Sequence, residues 1–292
     1  MTELLTRAHL NRVLLARQHL LERRAGSALE VVDHLVGLQA QNAWSPYVGL
    51  WSRVDGFRTD ELAAAFWDRT VARIAVMRGT IHLVTADDAL LLPGLVAPLY
   101  AKDLRVNAAH GAALRTLDVP AVTAAARELV EAEPRVTTEL GRLLAERWPD
   151  VAPSTLAYAA RGTLPLVQVP PRGVWGRSGA TTWTTAWSWF GPARTTAAPD
   201  LTDPAVLAAE QERLVRRYLA AFGPASVDDI QKLANAVSIP FIPADTSKPN
   251  YTVDHSGNLA VIGPDGKQRG FIRAPLNNVK LVAQLPVMLK RK

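Results

Sequence analysis

Residues 71–84 read VARIAVMRGTIHLV, and this stretch decides the fold prediction. Apolar and polar residues alternate on both sides of Arg78 and Gly79, a pattern that is typical of two strands joined by a short turn. Three predicted helices precede the pair: one at the amino terminus, one from a cap at Ser27 to a stop at Gly37, and one near 59–69. Three helices closed by a hairpin predict a winged-helix unit, an order that several other small α+β topologies share.

A second unit of the same kind is predicted to follow. Arg78–Val84 (RGTIHLV) is echoed by Arg161–Val167 (RGTLPLV), and both copies are interpreted as following helices at the same point of two similar units. Helices are predicted near 119–133, 137–147 and 154–160, and a β-ribbon over 166–191. A polar linker near 193–204 then leads to a helix over 204–222.

These patterns predict a mainly α fold with short β-hairpins, of the α+β class, that is built from tandem winged-helix units. The apolar residues of the first helix, from Leu10 to Leu14, are spaced to form one buried stripe. The predicted units are 1–105 and 106–192 for two winged helices, 200–228 for the start of a third, and 229–292 for a separate carboxyl-terminal fragment.

Composition excludes several classes of protein. The chain has 292 residues, 48% of them hydrophobic and 21% charged, as in ordinary globular proteins. It has no cysteine, so disulfides, thiolate metal sites and a cysteine nucleophile are ruled out. Arginines interrupt the leucines of the first 24 residues, which predicts neither a signal peptide nor a membrane span. We therefore expect a cytoplasmic protein that does not associate with membranes.

The charge is distributed unevenly along the chain. The net charge is +6, but residues 1–228 contain 23 Arg and 1 Lys against 23 acidic residues, whereas 229–292 contain 3 Arg and 6 Lys against 4. All eight tryptophans precede residue 229, and five of the eight asparagines follow it. This joint change predicts a chimera of two coding sequences, with an unusual terminal domain as the alternative. Any DNA binding by the first part must come from a local arrangement of arginines.

Four segments together resemble one enzyme family. They are VGLQAQN (36–42), WSPY (44–47), MRGTIHLV (77–84) and RRYLAAFGPAS (216–226). The combination, which spans about 1–228, is similar to the AlkZ/YcaQ-type DNA glycosylases. The resemblance implies tandem winged helices that remove alkylated or crosslinked bases from double-stranded DNA. It also implies that Gln39 and Gln41 are the catalytic residues, because they match the family's Gln-x-Gln motif.

The chemistry of this motif can be argued from the residues alone. After Gly37 ends the helix, an extended chain places Gln39 and Gln41 on one face and Leu38 and Ala40 on the other. Each amide offers two donors and an acceptor, enough to hold a water molecule and a sugar or base edge. An N7-alkylated purine already carries positive charge and needs no acid to leave, so the enzyme has to orient water and stabilise an oxocarbenium-like state. The alternative is that both glutamines only satisfy backbone groups of the loop.

Four further residues are candidates for DNA contact. His82 could line the same cleft, or be a strand histidine half buried in a wing. Arg172, Trp175 and Arg177 lie on a glycine-rich turn and could probe a DNA groove or stack on a base, although Trp175 could equally pack back on its own sheet. The six histidines show no metal-ligand spacing, so we expect no metal site and no cofactor.

The tail has a resemblance of its own. Residues 251–256 (YTVDHS), the turn GPDG at 263–266, the strands on either side of it and a final helix look like the carboxyl-terminal end of Sco-type copper chaperones, which are thioredoxin-like. In that family a histidine binds copper together with two cysteines, and the residue that matches it here is His255. Without cysteines we expect no copper site at His255, only a partial thioredoxin-like α/β fragment.

The sequence thus predicts a winged-helix DNA-binding protein for DNA repair, a hydrolase of the monofunctional DNA glycosylase kind that acts on alkylated or crosslinked purines. A non-enzymatic winged-helix DNA-binding or regulatory protein is the alternative. The partner expected is double-stranded DNA with alkylated bases, and the expected state is a monomer.

Overall fold

A six-stranded antiparallel sheet runs through the centre of the computed structural model, and helices cover both of its faces. The structure describes residues 7–223, 225, 259–262 and 268–272. The strands are β1 (Leu38–Gln39), β2 (Val71–Ala75), β3 (Ile81–Thr85), β4 (Arg135–Val136), β5 (Leu166–Gln168) and β6 (Thr182–Thr185). They lie side by side in the order β1-β3-β2-β5-β6-β4.

Twelve α-helices surround this sheet within the described part of the chain. They are α1 (Arg7–Arg17), α2 (Ala28–His34), α3 (Ser45–Trp51), α4 (Thr59–Trp67), α5 (Ala86–Val106), α6 (Gly111–Leu114), α7 (Val119–Ala132), α8 (Thr137–Ala145), α9 (Pro153–Thr163), α10 (Ala186–Phe190), α11 (Pro192–Ala197) and α12 (Pro204–Phe222). None of the helices described is long and apolar enough to cross a membrane.

The strand pair predicted over 71–84 is confirmed as β2 and β3, joined by a short 3-10 turn at Met77–Gly79. The alternation of polar and apolar residues, however, does not mark a solvent-facing side. All five residues of β3 are buried, and so are the first four of β2. The reason is that one group of helices packs on each face of the sheet, so both faces belong to a hydrophobic core.

The same order of elements occurs twice. A helix, a two-residue strand, two helices, a pair of strands and a threonine-capped helix follow one another as α2-β1-α3-α4-β2-β3-α5 and again as α7-β4-α8-α9-β5-β6-α10. Thr85 accepts a hydrogen bond from the Asp88 amide, and Thr185 accepts one from Ser188 in the equivalent position. The two halves join where β2 pairs with β5. The structure is therefore a mixed α and β fold with a small antiparallel sheet, and the sheet continues across the predicted unit boundary at 105/106.

The sequence echo does not mark this repeat, and the prediction that its two copies occupy the same place is wrong. Arg78–Val84 covers the turn after β2 and most of β3, whereas Arg161–Val167 covers the end of α9 and the start of β5. In the repeated element order, β5 corresponds to β2 rather than to β3. The first copy therefore follows a strand and only the second follows a helix.

Several helix predictions are confirmed and others are wrong. Ser27 caps α2 in a capping box with Glu30, and α12 has the predicted bounds 204–222. Helix α3 was not predicted, and the predicted linker at 193–204 contains α11. The predicted ribbon over 166–191 ends at Thr185, because α10 follows β6 directly. The stripe on α1 is not buried, since Leu10 is 42% and Val13 39% exposed.

In the tail, the two predicted strands around the turn are confirmed as an antiparallel pair, β7 (Leu259–Ile262) and β8 (Gln268–Ile272). The predicted final helix, the predicted turn residues 263–266 and His255 lie outside the described residues.

A buried ion pair fixes α12 to the first half of the fold. The Arg217 guanidinium binds both carboxylate oxygens of Asp88 at 2.6 and 2.8 Å, and it also reaches the Asp33 carboxylate at 2.8 Å. The Asp88 side chain is only 3% exposed. A carboxylate at this depth is tolerated because it is paired and hydrogen-bonded. The pair therefore holds α12 against the end of α2 and the start of α5.

We expect Arg217→Met to lower the free energy of unfolding by about 3–5 kcal/mol, because it leaves the buried Asp88 carboxylate without its partner. Urea denaturation at pH 7 measures this. The double variant Arg217→Met/Asp88→Asn should recover part of the lost unfolding free energy, because it no longer buries an unpaired carboxylate. The control Arg142→Met breaks an exposed pair with Glu146 and should cost no more than about 1 kcal/mol. Equal losses in the two single variants would contradict this account of α12.

Candidate active site

Gln39 lies at the mouth of a cavity at the edge of the sheet. It pairs with His82 across β1 and β3, and both side chains line a cavity of about 380 Å³. Helix α2 ends just before it through Val36 and Gly37, both with positive φ; a Cβ at Gly37 would approach Val84 Cγ1 to 2.8 Å. The remaining wall is mostly apolar and includes Leu35, Leu92, Val96, Leu214, Tyr218 and Phe222. Helix α12 supplies the last three, so the ion pair of Arg217 also holds one wall of this cavity.

The two glutamines of the motif are placed differently. Gln39 is exposed, and no described residue forms a hydrogen bond with its amide. The Gln41 Oε1, in contrast, accepts a hydrogen bond of 3.1 Å from the Ile81 backbone amide. Together with the bond from Ala40 N to Ile81 O, this contact extends the β1–β3 pairing by two residues. Ala40 is buried and Leu38 half-buried, which agrees with the expected alternation of faces.

His82 is buried at 6% exposure on β3, beside Gln39. Its Nδ1 lies 3.0 Å from the Thr80 carbonyl oxygen, a contact in which the imidazole donates if that nitrogen carries the proton. The histidine therefore combines the two interpretations that the sequence leaves open: it is a buried strand residue, and it lines the cleft.

Behind the glutamine loop lies a buried arginine that the sequence analysis missed. Arg73, on β2, is 1% exposed, and its Nη2 donates to the Ala40 carbonyl oxygen at 2.7 Å. Its Nε and Nη1 are buried and have no hydrogen-bond partner among the described residues, and the same holds for the Oε1 of Gln168 in the opposite register position. Burial and then the nearby charge of Arg172 lower the pKa of Arg73 to about 10. The sequence feature that could have identified it is an arginine in the middle of the otherwise apolar strand VARIA.

The segment between β5 and β6 packs on the same arginine. Gly173 has a φ of +99° there, and a Cβ at this position would lie 2.9 Å from Arg73 Cδ, so only glycine fits. The Tyr47 hydroxyl donates to the Gly173 carbonyl oxygen at 2.8 Å and accepts from the Trp175 amide at 2.9 Å. Burial raises the pKa of Tyr47 to about 12, so the hydroxyl stays neutral. Tyr47 therefore holds this segment against the start of α3.

Trp175 packs on rings of the first half of the molecule. Its ring lies 4.9 Å from that of Tyr47 and 5.6 Å from that of Trp44. Of the other two predicted contact residues, Arg172 is half-buried and Arg177 is exposed. The structure thus gathers Trp175, Arg172 and Arg177 on a segment that contacts α3, while Gln39 and His82 face the cavity on the other side of the sheet.

Three of the segments that contribute to this region contain no acidic residue. Residues 34–54, 69–86 and 151–199 lack Asp and Glu altogether, although the whole chain has 27. In the part of the chain that the structure describes, no carboxylate pairs with Arg73, Arg172 or Arg177. A small net charge therefore conceals a local excess of positive charge, which favours a polyanion. The described residues include no group of three or more side chains suited to hold a metal ion.

A comparison with known protein families matches the part of the chain that forms this site. Residues 32–238 match the family described as "DNA glycosylase AlkZ-like". The chain belongs to the AlkZ-like DNA glycosylase family. The match covers the glutamine loop, both halves of the sheet and α12, so every wall of the cavity named above comes from the AlkZ-like part.

Two individual proteins are also similar. The DNA glycosylase AlkZ of Streptomyces sahachiroi superimposes with a TM-score of 0.58 at 20% identity, over 92% of this chain and 70% of that one, which shows a shared fold. A protein of Stutzerimonas stutzeri named "Putative copper-binding protein" is 47% identical over 64 residues, or 22% of this chain. The chain spans only 31% of the length of that relative.

The different placement of the two glutamines has a consequence for stability. We expect Gln41→Ala to lower the free energy of unfolding by about 1 kcal/mol, because the Ile81 amide loses its acceptor. Gln39→Ala should leave it unchanged, since its amide bonds no described residue. Chemical denaturation of both variants measures the difference, and an equal loss in both would mean that Gln39 has a structural partner.

Proposed function

We propose that this AlkZ-like protein binds double-stranded DNA and hydrolyses the N-glycosidic bond of alkylated or crosslinked purines. In this proposal Gln39 and Gln41 are the catalytic residues, and each repeated half acts as a winged helix. The observation that carries it is the exposed Gln39 amide, which has no partner among the described residues and stands at the mouth of a cavity, on a segment (34–54) without any acidic residue.

The reaction needs little from the protein. Cleavage of the bond between the sugar C1′ and the purine N9 leaves its electron pair on the base, which becomes neutral because N7-alkylation had made it cationic. Water adds to C1′ and loses a proton to solvent. Gln39 can accept from that water through Oε1 and donate to the sugar or base through Nε2. Gln41, tied to Ile81 through Oε1, contributes its amide N–H groups and fixes the loop that carries Gln39.

The alternative is a non-enzymatic DNA-binding or regulatory protein. The use of the Gln41 Oε1 as a backbone acceptor favours it, because half of the supposed reactive pair has a structural contact. The exposed Gln39 favours the enzyme. The two functions predict different outcomes: only the glycosylase releases bases from DNA when the purified protein is assayed.

We expect the protein to release free N7-methylguanine from methylated duplex DNA, and Gln39→Ala to lower the rate by roughly 10- to 1000-fold with little change in DNA affinity. Binding should weaken steeply with added salt, since affinity for DNA comes through phosphates. Gln211→Ala, on α12 and not among the residues that line the cavity, is the control. Salt-dependent DNA binding without any base release would support the non-enzymatic alternative.

Arg73 is expected to act as a positioning residue for the glutamine loop. Arg73→Met removes both a buried unpaired charge and one hydrogen bond, so we expect the unfolding free energy to change by no more than about 1 kcal/mol. Base release should nevertheless fall by roughly 10- to 100-fold, because Ala40 loses the contact that sets the loop. Arg73→Lys, which keeps a charged donor, should recover part of the rate. A parallel loss of stability and rate would indicate a structural role alone.

The match to the copper-binding relative has as many residues as 229–292, and we infer that it lies in this Sco-like tail. His255 falls outside the described residues, and the chain has no cysteine to complete a copper site of the Sco type. No copper function is therefore proposed. The fusion is interpreted as a chimera on the composition change alone.

A further inference from the structure

Two tryptophan rings stand exposed beside the glutamine loop. Trp44 is 39% and Trp175 49% exposed, although both pack edge to face against one another at 5.6 Å with an interplanar angle of 79°. They come from opposite halves of the sequence and meet only in the folded chain. Exposed indole surface costs free energy in water. This exposed pair of rings is therefore a candidate ligand-binding surface.

Backbone hydrogen bonds and contacts between rings hold the two tryptophans in this position. The Trp44 backbone amide donates to the Asn42 side-chain oxygen at 2.9 Å, and the Trp175 amide donates to the buried Tyr47 hydroxyl at 2.9 Å. Tyr47 packs against both indoles, with ring centroids 6.1 Å from Trp44 and 4.9 Å from Trp175. A rigid ring loses little conformational entropy when a flat ligand stacks on it.

The surroundings favour one class of ligand. Trp44 follows Gln41 closely in the sequence, and Trp175 lies between Arg172 and Arg177 on a segment without any acidic residue. Aromatic faces with arginines beside them bind nucleobases, because each base offers a π-face and each nucleotide a phosphate. A paired and stacked base shows only its edge to the groove, so a ring can stack on a base only where that base has lost its stacking or its pairing.

We propose that Trp44 and Trp175 form a stacking site for an unpaired nucleobase of the DNA duplex, separate from the cavity beside Gln39. This proposal rests on the proposed function, since it takes the bound nucleic acid to be the damaged duplex. The base held is one that loses its stacking or pairing next to the lesion. Stacking reads no hydrogen-bonding edge, so all four bases should be accepted.

The test uses undamaged DNA and the full-length protein, so that it does not depend on base release. Fluorescence anisotropy compares a fully paired duplex with the same duplex carrying one unpaired adenine. The wild-type protein should bind the second duplex at least about fivefold more tightly. Trp175→Ala and Trp44→Ala should each weaken binding to the unpaired base by about 5- to 150-fold, with a much smaller effect on the paired duplex. Trp175→Phe should retain most of the preference.

Trp67→Ala is the matched control, because Trp67 is similarly exposed at 55% but lies at the end of α4 and outside the ring cluster. A thermal melt of each variant shows whether it folds; if Trp175→Ala does not, Trp44→Ala and Trp175→Phe still decide. The inference is overturned if the tryptophan variants bind both duplexes like the wild type, or weaken both equally. Base release that persists in that case leaves the proposed function standing, whereas a wild-type protein that binds no DNA overturns both.

Discussion

The pairing of β2 with β5 is the contact on which the rest of the structure depends. In the part of the chain that the structure describes, this ladder alone joins the sheet strands of the first half to those of the second, through the register Arg73 with Gln168 and Ile74 with Val167. On one side of the strands, Ile74 and Val167 belong to the core under α5 and α12. On the other, Arg73 and Gln168 place polar atoms inside the opposite core. The junction of the two halves thus combines apolar contacts on one face with buried polar groups on the other.

A buried arginine without a carboxylate is expensive, and it is seldom kept for stability alone. Arg73 receives one carbonyl, that of Ala40, and leaves two nitrogens unsatisfied. It nevertheless contacts both segments that carry the candidate residues: the glutamine loop through Ala40 and the β5–β6 segment through Gly173. Arg73 therefore contacts both segments and helps to fix their relative position. A buried charge that lowers stability, at a position between two segments that carry candidate functional residues, indicates a functional constraint.

Particular residues show which features of the fold and of the site can be predicted from the sequence. The β2–β3 pair, the capped helix α2 and helix α12 were predictable because their signals are local: alternation, a Ser27 cap, a proline start. The exposed Gln39 followed from the glycine stop at Gly37. The contacts of Tyr47 with Gly173 and of Arg217 with Asp88 were not predictable, since more than a hundred residues separate the partners. The short echo at Arg78 and Arg161 misled because seven residues cannot distinguish a strand-to-strand turn from a helix-to-strand turn.

The position of the glutamine loop also follows from the sheet itself. β1 and β4 are the edge strands, and each is only two residues long. A short edge limits pairing with other chains. At β1 the edge ends in Gln39, Ala40 and Gln41. Gln39 lines the cavity, whereas the Ala40 carbonyl oxygen accepts a hydrogen bond from Arg73 on the other side of the sheet. Two neighbouring residues thus contact groups on opposite faces of the sheet. The edge strand is therefore an element through which the proposed DNA contact at the tryptophans and the geometry at Gln39 can influence each other.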